Sequence, residues 1–104
     1  MYAALATVSI TDYEHARRTL HDDVLPTITD IPGFVSGHWL APIDGTGVEI
    51  LIFETEAEAR AMAEQMPVGR KVNEFVTVRS VEVREVAGSV HQLDDVPLQV
   101  TPES

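Results

Sequence analysis

The hydrophobic positions of this chain follow two different periods. Four short runs rich in β-branched residues are typical of strands, and they lie at residues 2–10, 34–41, 48–53 and 76–86. Two longer runs carry apolar side chains three or four positions apart, which predicts helices at residues 12 to about 29 and 56–66. The predicted order of elements is therefore βαββαβ.

Both predicted helices begin with the same sequence signature. Thr11-Asp12-Tyr13-Glu14 and Thr55-Glu56-Ala57-Glu58 each place a glutamate three residues after a threonine. In such a capping box the threonine hydroxyl accepts a backbone N–H from the third helical residue, and the glutamate accepts the threonine N–H. Because the signature follows a strand-like run each time, it predicts a repeated strand–helix unit.

The predicted order favours one arrangement of the sheet. Helix crossovers place strands one and two parallel, with strand three between them. The predicted fold class is α+β: a ferredoxin-like βαββαβ sandwich with a four-stranded antiparallel sheet and both helices on one face. Residues 42–47 are predicted to form the turn between strands two and three. Pro26 is expected to kink or loosen the end of the first helix.

The domain is predicted to span residues 1–87. Residues 88–104 differ from it, because they contain acidic residues and prolines but no lysine or arginine. One interpretation is a loose C-terminal tail. The other is a dimer arm, since Val96, Leu98 and Val100 alternate and would fit along a partner subunit.

Strand three is apolar on both faces, with Val48, Ile50 and Ile52 on one and Leu51, Phe53 and Glu49 on the other. A strand with one solvated face would instead alternate between apolar and polar residues. Two short helices cover only one face of such a sheet. We therefore expect a second copy of the chain to cover the other face in a homodimer, since twofold pairs dominate soluble oligomers. The alternatives are a monomer with a mildly apolar open face and a face covered by the chain's own tail.

The acidic composition narrows the range of partners. The chain has 17 acidic and 7 basic residues, a formal net charge of −10 and no cysteine. Nucleic acid and anionic membrane surfaces are not expected as partners, because both require clustered lysine and arginine. The lack of cysteine excludes disulfides and thiolate chemistry, and it is compatible with a cytoplasmic location.

The segment Pro32-Gly33-Phe34-Val35-Ser36-Gly37-His38-Trp39-Leu40, the doubled unit and the two-sided strands together resemble the dimeric α+β barrel superfamily. Its small members include antibiotic-biosynthesis-type monooxygenases, haem-degrading enzymes, muconolactone isomerases and many uncharacterised proteins. The resemblance covers residues 2–86 and implies two sheets that close into a barrel, with a cavity between sheet and helices or inside the barrel. In the haem-degrading branch an asparagine, a tryptophan and a histidine form the site. Strand one here has no asparagine, and Asn73 is the only one in the chain, which argues against haem degradation.

Strand parity sorts the side chains between the helices and a pocket. The aliphatic side of each strand is expected to face the helices, and it carries Ala4, Ala6, Val8, Val35, Trp39, Ile50 and Ile52. The mixed side is expected to hold a pocket with His38, Thr7, Ser36, Glu49, Leu51 and Phe53. Apolar walls with a few convergent polar groups are the usual form of a small-molecule site.

His38 is the strongest catalytic candidate, because imidazole can accept or donate a proton near neutral pH. Glu49 lies across the predicted hairpin and would orient His38 or act as a base itself. The alternatives are a local structural hydrogen bond for His38 and a place at the solvent rim for Glu49. Trp39 is expected in the core, with a substrate-stacking wall as its alternative role.

No cofactor and no metal are predicted. His15 and His21 are six residues apart, whereas a two-ligand helical metal site needs a separation of three or four. The chain also lacks a glycine-rich phosphate-binding motif. Arg70 and Lys71 form a basic pair that would guide an anionic substrate to a cavity mouth or act as ordinary surface charge.

The predicted function is that of a homodimer that handles a small apolar or aromatic organic ligand. If the protein is an enzyme, the resemblance implies a cofactor-independent monooxygenase or an isomerase. The alternatives are a non-catalytic ligand-binding or stress-related barrel and a structural dimer whose cavity is filled by side chains. An open void would separate the first two from the third.

Overall fold

The computed structural model describes residues 1–91 of the chain. The strands are β1 (Tyr2–Ile10), β2 (Phe34–Ile43), β3 (Thr46–Phe53), β4 (Lys71–Asn73) and β5 (Val76–Glu85). The helices are α1 (Tyr13–Thr19), α2 (Leu25–Ile28) and α3 (Glu56–Glu64), and a π-helical segment (Leu20–Val24) joins α1 to α2. Residues 92–104, which include most of the predicted tail or dimer arm, lie outside the described residues.

The sheet has the strand order β2-β3-β1-β5-β4, and each neighbouring pair is antiparallel. Because β3 lies between β1 and β2, those two strands run parallel, as the helix crossover requires. The predicted α+β ferredoxin-like fold is confirmed. The sheet has five strands rather than the predicted four, because Lys71–Asn73 pairs with the start of β5 as a short edge strand.

The β2–β3 hairpin is tighter than predicted. Its strands extend to Ile43 and from Thr46, so the turn consists of Asp44 and Gly45 rather than residues 42–47. Both turn residues have positive φ, at 53° and 78°. Two-residue hairpin turns of this kind match the right-handed twist of the strands, and Asp-Gly is one of their preferred sequences.

The two helix starts differ in their caps. At α3 the predicted capping box is present: the Thr55 hydroxyl accepts the Glu58 N–H at 3.2 Å, and Glu58 Oε1 accepts the Thr55 N–H at 3.1 Å. At α1 the predicted capping box is wrong, because Asp12 is the N-cap and its carboxylate accepts the His15 N–H. The Thr11 N–H instead donates to a backbone carbonyl in the β4–β5 turn, so Thr11 continues the strand edge.

The first helical segment, residues 13–28, consists of α1, the π-helical turn and α2, and it widens near its middle. The Leu25 N–H donates to the carbonyl of Leu20, five residues earlier, which is the π-helical spacing. The next residue, Pro26, has no N–H to donate, so an α-helical bond is missing where a kink was predicted. The helix nevertheless continues to Ile28.

The core lies between the sheet and the helices, and β3 presents Leu51 and Phe53 to it. The prediction that Ile50 and Ile52 face the helices is wrong. Leu51 pairs with Ala4 of β1, and directly paired residues point to the same face of a sheet. Leu51 and Phe53 are 2% and 0% exposed, because the small side chains of β1 leave room that larger ones fill.

The other predictions of which side chains face the helices are confirmed only in part. Ala4, Ala6 and Val8 are buried on the helix-facing side, as predicted. Val35 is 42% exposed instead, and the β2–β3 register is irregular at this point. The opposite side of the sheet carries Leu5 together with the isoleucines of β3, all only half-buried. β3 is therefore apolar on both faces, although its two faces are exchanged relative to the prediction.

Candidate functional site

A cavity of about 340 Å³ lies between the first helical segment and the sheet. Most of its wall is aliphatic, with contributions from Val8 of β1, Leu51 of β3, Met62 of α3 and Val76 of β5. The predicted apolar face of the first helix supplies another part of the wall, through Tyr13, Ala16, Leu20 and Val24. A half-open cavity of this size with apolar walls suits a small organic ligand.

The π-helical segment contributes directly to this wall through Leu20, His21 and Val24. In a regular α-helix, residues 20 and 24 would be one turn apart on a single face. Here both residues line the cavity across a π-helical turn. Segments of this kind occur often at functional sites.

Trp39 and Glu49 are the central polar pair of the cavity wall. They occupy directly opposite positions in the β2–β3 ladder, so both side chains point to the helix-facing side. The Trp39 Nε1–H donates to Glu49 Oε2 at 2.5 Å. Both residues are half-buried and line the cavity. Trp39 thus packs beside the core, as expected, and also forms part of the ligand wall.

Gly37 makes room for this indole. A Cβ at position 37 would lie 2.9 Å from the Trp39 ring and 2.9 Å from a Leu51 methyl group. Both separations are shorter than ordinary carbon contacts. The glycine two residues before the tryptophan therefore lets the ring lie across β2 and reach Glu49.

The environment of Glu49 favours its neutral form. Burial raises the pKa of the Glu49 carboxyl above its usual value, and the hydrogen bond from Trp39 opposes that rise only in part. Among the described residues, Trp39 is its only side-chain hydrogen-bond partner, and no cation forms an ion pair with it. A carboxyl with a raised pKa and one uncommitted oxygen suits proton transfer nearer to neutral pH.

The predicted site residues divide between the two faces of the sheet. Glu49 and Leu51 line the cavity. Phe53 lies on the same face but is fully buried in the core cluster beneath α3. Thr7 and Ser36 lie on the opposite face, where the Thr7 hydroxyl is 2.6 Å from that of Ser80.

His38 also lies on the face opposite to the cavity. It pairs with Ile50 in the β2–β3 ladder and is exposed in the single chain. Because Glu49 points to the other side of the sheet, it does not orient His38 within one chain. A catalytic role for His38 stays a prediction. It requires a chamber on the open face, which is the side of the sheet away from the helices.

Several cavity residues were not predicted as site residues. Arg17 and His21 come from the first helical segment, Gln65 from the end of α3, and Asn73 from β4. The amide oxygen of Asn73 accepts the Phe75 N–H at 2.8 Å and so holds the β4–β5 turn. Helical spacing places residues 13, 17, 20 and 24 on adjacent positions of one face, which could have indicated Arg17. The contribution of β4 was hidden because three residues give no periodic signal.

Two kinds of feature are absent from residues 1–91. No group of three or more histidine, aspartate or glutamate side chains in this part of the chain could hold a metal ion. No helix in the same part is both long enough and apolar enough to cross a membrane.

Comparison with known proteins supports the fold. No protein-family profile matches the chain, and no curated protein sequence matches it. Among solved structures, the chain is similar to HapK from Hahella chejuensis, with a TM-score of 0.62, 14% sequence identity, and coverage of 89% of this chain and 99% of HapK. It is also similar to the haem-degrader MhuD from Mycobacterium tuberculosis, solved with two haems in its active site, with a TM-score of 0.51 and 20% identity over 85% of this chain and 99% of MhuD.

At these identities the two matches show a shared fold. They support the ferredoxin-like α+β architecture of the chain. The chemistry of this chain has to be argued from its own cavity.

Proposed function

We propose that this protein binds a small, mostly apolar organic molecule in the cavity and transfers a proton to or from it through Glu49. The observation that carries the proposal is a single half-buried carboxyl with a raised pKa, held by Trp39 in an otherwise largely aliphatic wall. General-base catalysis needs such a group within reach of the substrate. The open void favours a ligand-binding protein over a structural dimer with a filled cavity.

The reaction that fits this arrangement begins with removal of a proton from an acidic C–H or O–H group. Glu49 in its ionised form accepts the proton, and the apolar wall keeps water from quenching the resulting carbanion or phenolate. An isomerase would return the proton to a second carbon atom. A monooxygenase would let the carbanion react with dioxygen, with the net change R₂CH₂ + O₂ → R₂C=O + H₂O. The substrate supplies all the electrons in that reaction, so no cofactor is needed.

Trp39 would act as a positioning residue for Glu49 and as an apolar wall for the ligand. Its N–H fixes one carboxyl oxygen and leaves the other for substrate. The indole offers a large flat surface for an aromatic ring. It is also the only tryptophan in the chain, so its fluorescence reports on this site alone.

The proposal is tested by replacing Glu49 with glutamine, which keeps the shape of the side chain and removes the base. Anthrone serves as a C–H acid and 1,4-naphthoquinol as an O–H acid, with oxygen uptake and product absorbance recorded. E49Q should lose about 100-fold or more of the turnover above the buffer rate, as expected for loss of a general base. The control is E64Q, since Glu64 is exposed at the end of α3 and does not line the cavity.

Each outcome of this experiment has a clear meaning. Wild-type turnover in E49Q would remove Glu49 from the mechanism, and loss of turnover in H38A instead would assign the proton transfer to His38. Binding without turnover by the wild type would favour the non-catalytic ligand-binding barrel. Oxygen uptake separates a monooxygenase from an isomerase. Haemin is the comparison ligand, because of the fold shared with MhuD.

We also propose that the open face of the sheet is covered by a second copy of the chain. Leu5, Ile50 and Ile52 are only half-buried there, Arg84 and Glu82 form an ion pair at 3.2 Å, and Arg79 donates to the Ser9 hydroxyl on the same face. A face that does not share the negative charge of the whole chain allows two acidic chains to approach each other. The fold shared with known structures of the superfamily is consistent with such a homodimer.

Sedimentation equilibrium of the wild type and of I50E tests this pairing. The wild type should be dimeric at micromolar concentration, and I50E should be monomeric, because it would bury a charge in the interface. V68E is the control, since Val68 is 66% exposed in the loop after α3. A monomeric wild type would contradict the dimer, whereas the Glu49 proposal would stand, because its cavity lies within one chain.

A cytoplasmic location of the protein is also part of the proposal.

A further inference from the structure

The cavity is electrostatically unlike the rest of the protein. The whole chain has 17 acidic and 7 basic residues. The cavity wall reverses this balance, because it contains Arg17 and Arg70 but only one acidic residue, Glu49. Burial raises the pKa of Glu49, so its carboxyl opposes an incoming anion less than an exposed glutamate would.

Neither arginine is engaged by an acidic side chain in the described part of the chain. The ion pairs found there join Asp12 to His15, Glu56 to Arg60 and Glu82 to Arg84. The side-chain hydrogen bonds of residues 1–91 likewise include neither Arg17 nor Arg70. Arg17 and Arg70 therefore line an apolar cavity, and no other described side chain accepts a hydrogen bond from their guanidinium N–H groups.

The two arginines reach the cavity from different elements. Arg17 lies in the last turn of α1. Arg70 lies in the turn between α3 and β4, and its backbone is fixed to β5: its carbonyl accepts the Val78 N–H, and the Gly69 N–H donates to the Val78 carbonyl, both at 2.8 Å. Gly69 has a φ of 92°, which only glycine adopts easily, so the approach of Arg70 is built into this turn.

From this arrangement we infer that the ligand is an amphipathic organic anion. Its apolar body lies against the wall that includes Trp39 and Leu51, and its carboxylate, or a comparable anionic group, is held by Arg17 and Arg70. The planar guanidinium group donates two parallel hydrogen bonds to a carboxylate, which makes arginine well suited to this role. The inference rests on the proposed function and names the substrate class for the same cavity.

A matched pair of probes tests the inference. 2-Naphthoate and 2-naphthamide have the same apolar body and differ in the charge of the polar group. Isothermal titration calorimetry with the wild-type protein should give tighter binding of the naphthoate, and only that binding should weaken with added salt. The R17M and R70M variants should each weaken naphthoate binding roughly tenfold and leave naphthamide binding unchanged, as expected for loss of a charge-assisted hydrogen bond.

The chain offers two matched controls. Arg18 and Lys71 are the sequence neighbours of the two arginines, are exposed, and do not line the cavity. R18M and K71M change the net charge by the same amount, so they should leave both affinities at wild-type values. Equal weakening by the controls would overturn the inference in favour of a general field effect.

Two further outcomes separate this inference from the proposed function. Equal binding of both probes, unaffected by R17M and R70M, would overturn the anionic ligand class and leave the apolar site intact. Failure of both probes to bind would contradict the cavity as a ligand site and overturn both proposals. Because Arg17 and Arg70 are exposed, the variants are expected to fold, and circular dichroism verifies this.

Discussion

β3 carries different side chains on its two faces, with Glu49, Leu51 and Phe53 toward the helices and Ile50 and Ile52 away from them. The helix-facing set is packed or lines the cavity within a single chain. The opposite set is only half-buried, and its neighbour His38 is exposed. The difference shows that similar hydrophobicity leads to different burial, because only the helix-facing side of β3 is covered by packed elements of the same chain.

The largest difference in stability between substitutions on the two faces of β3 is expected for a residue in the core. Phe53→Ala should lower the free energy of unfolding by about 3–5 kcal/mol, because the ring is fully buried and the cavity left behind cannot collapse. Ile52→Ala, on the other face of the same strand, should cost less. Urea denaturation of dilute protein measures both. Equal losses would show that the two faces are equally buried in solution, and F53L gives a milder comparison if F53A does not fold.

A smaller loss of stability is expected when the space beside Trp39 is filled. Gly37→Ala places a methyl group 2.9 Å from the indole and from Leu51, so we expect a loss of about 1–3 kcal/mol and a shift in tryptophan emission as the ring moves. Gly88→Ala is the control, since a Cβ there meets nothing within 4 Å. An unchanged emission spectrum in G37A would contradict the packing of Trp39 across β2.

The titration of Glu49 sharpens the comparison further, because this carboxyl lies on the helix-facing side of β3. Its pKa is raised in the folded state, so the folded protein binds more protons than the unfolded chain between pH 4.5 and that raised pKa. Stability should therefore fall as the pH rises through this window. E49Q should remove that part of the pH dependence.

Two measurements check this titration. Trp39 emission should change as the carboxyl that accepts its N–H ionises, with a midpoint above 4.5, and thermal melts should show the matching loss of stability. H38A serves as the control from the open face and should leave both curves in place. A wild-type midpoint at or below 4.5 would contradict a buried Glu49.

The smallest effect is expected for a polar pair on the open face. Thr7→Val removes the hydrogen bond between the Thr7 and Ser80 hydroxyls but keeps the shape of the side chain. Because the pair is exposed in a single chain, the loss should be about 0.5 kcal/mol or less. A loss above about 1.5 kcal/mol would indicate that this pair is buried by a partner, as in the proposed homodimer.

The order of elements could be predicted because it depends on local signals. The Thr55 capping box, the β-branched runs and the crossover rule were sufficient for the α+β class and for the place of β3 between β1 and β2. The Thr11 box failed because a second good N-cap, Asp12, lies beside it, and a strand-edge bond engages Thr11. β4 was missed because its three residues carry no periodic pattern, although its partner β5 follows directly in the chain.

The candidate site was predictable only in part. Parity correctly kept Glu49 and Leu51 together and apart from Ile50, since alternate residues of a strand share a face. Parity does not say which face meets the helices. Arg17 and Arg70 come from separate elements, so only the folded chain places them in one cavity wall.

The sequence by itself determined the longer elements, their order and the two-sided hydrophobicity of β3, because these follow from the chemistry of neighbouring residues. Only the tertiary structure decided which face of β3 is dry. That choice depends on how Leu51 and Phe53 fit against alanines more than 40 positions away, and packing over such distances is not encoded in any local period. The same choice placed Glu49 beside Trp39 in the cavity and left His38 outside it.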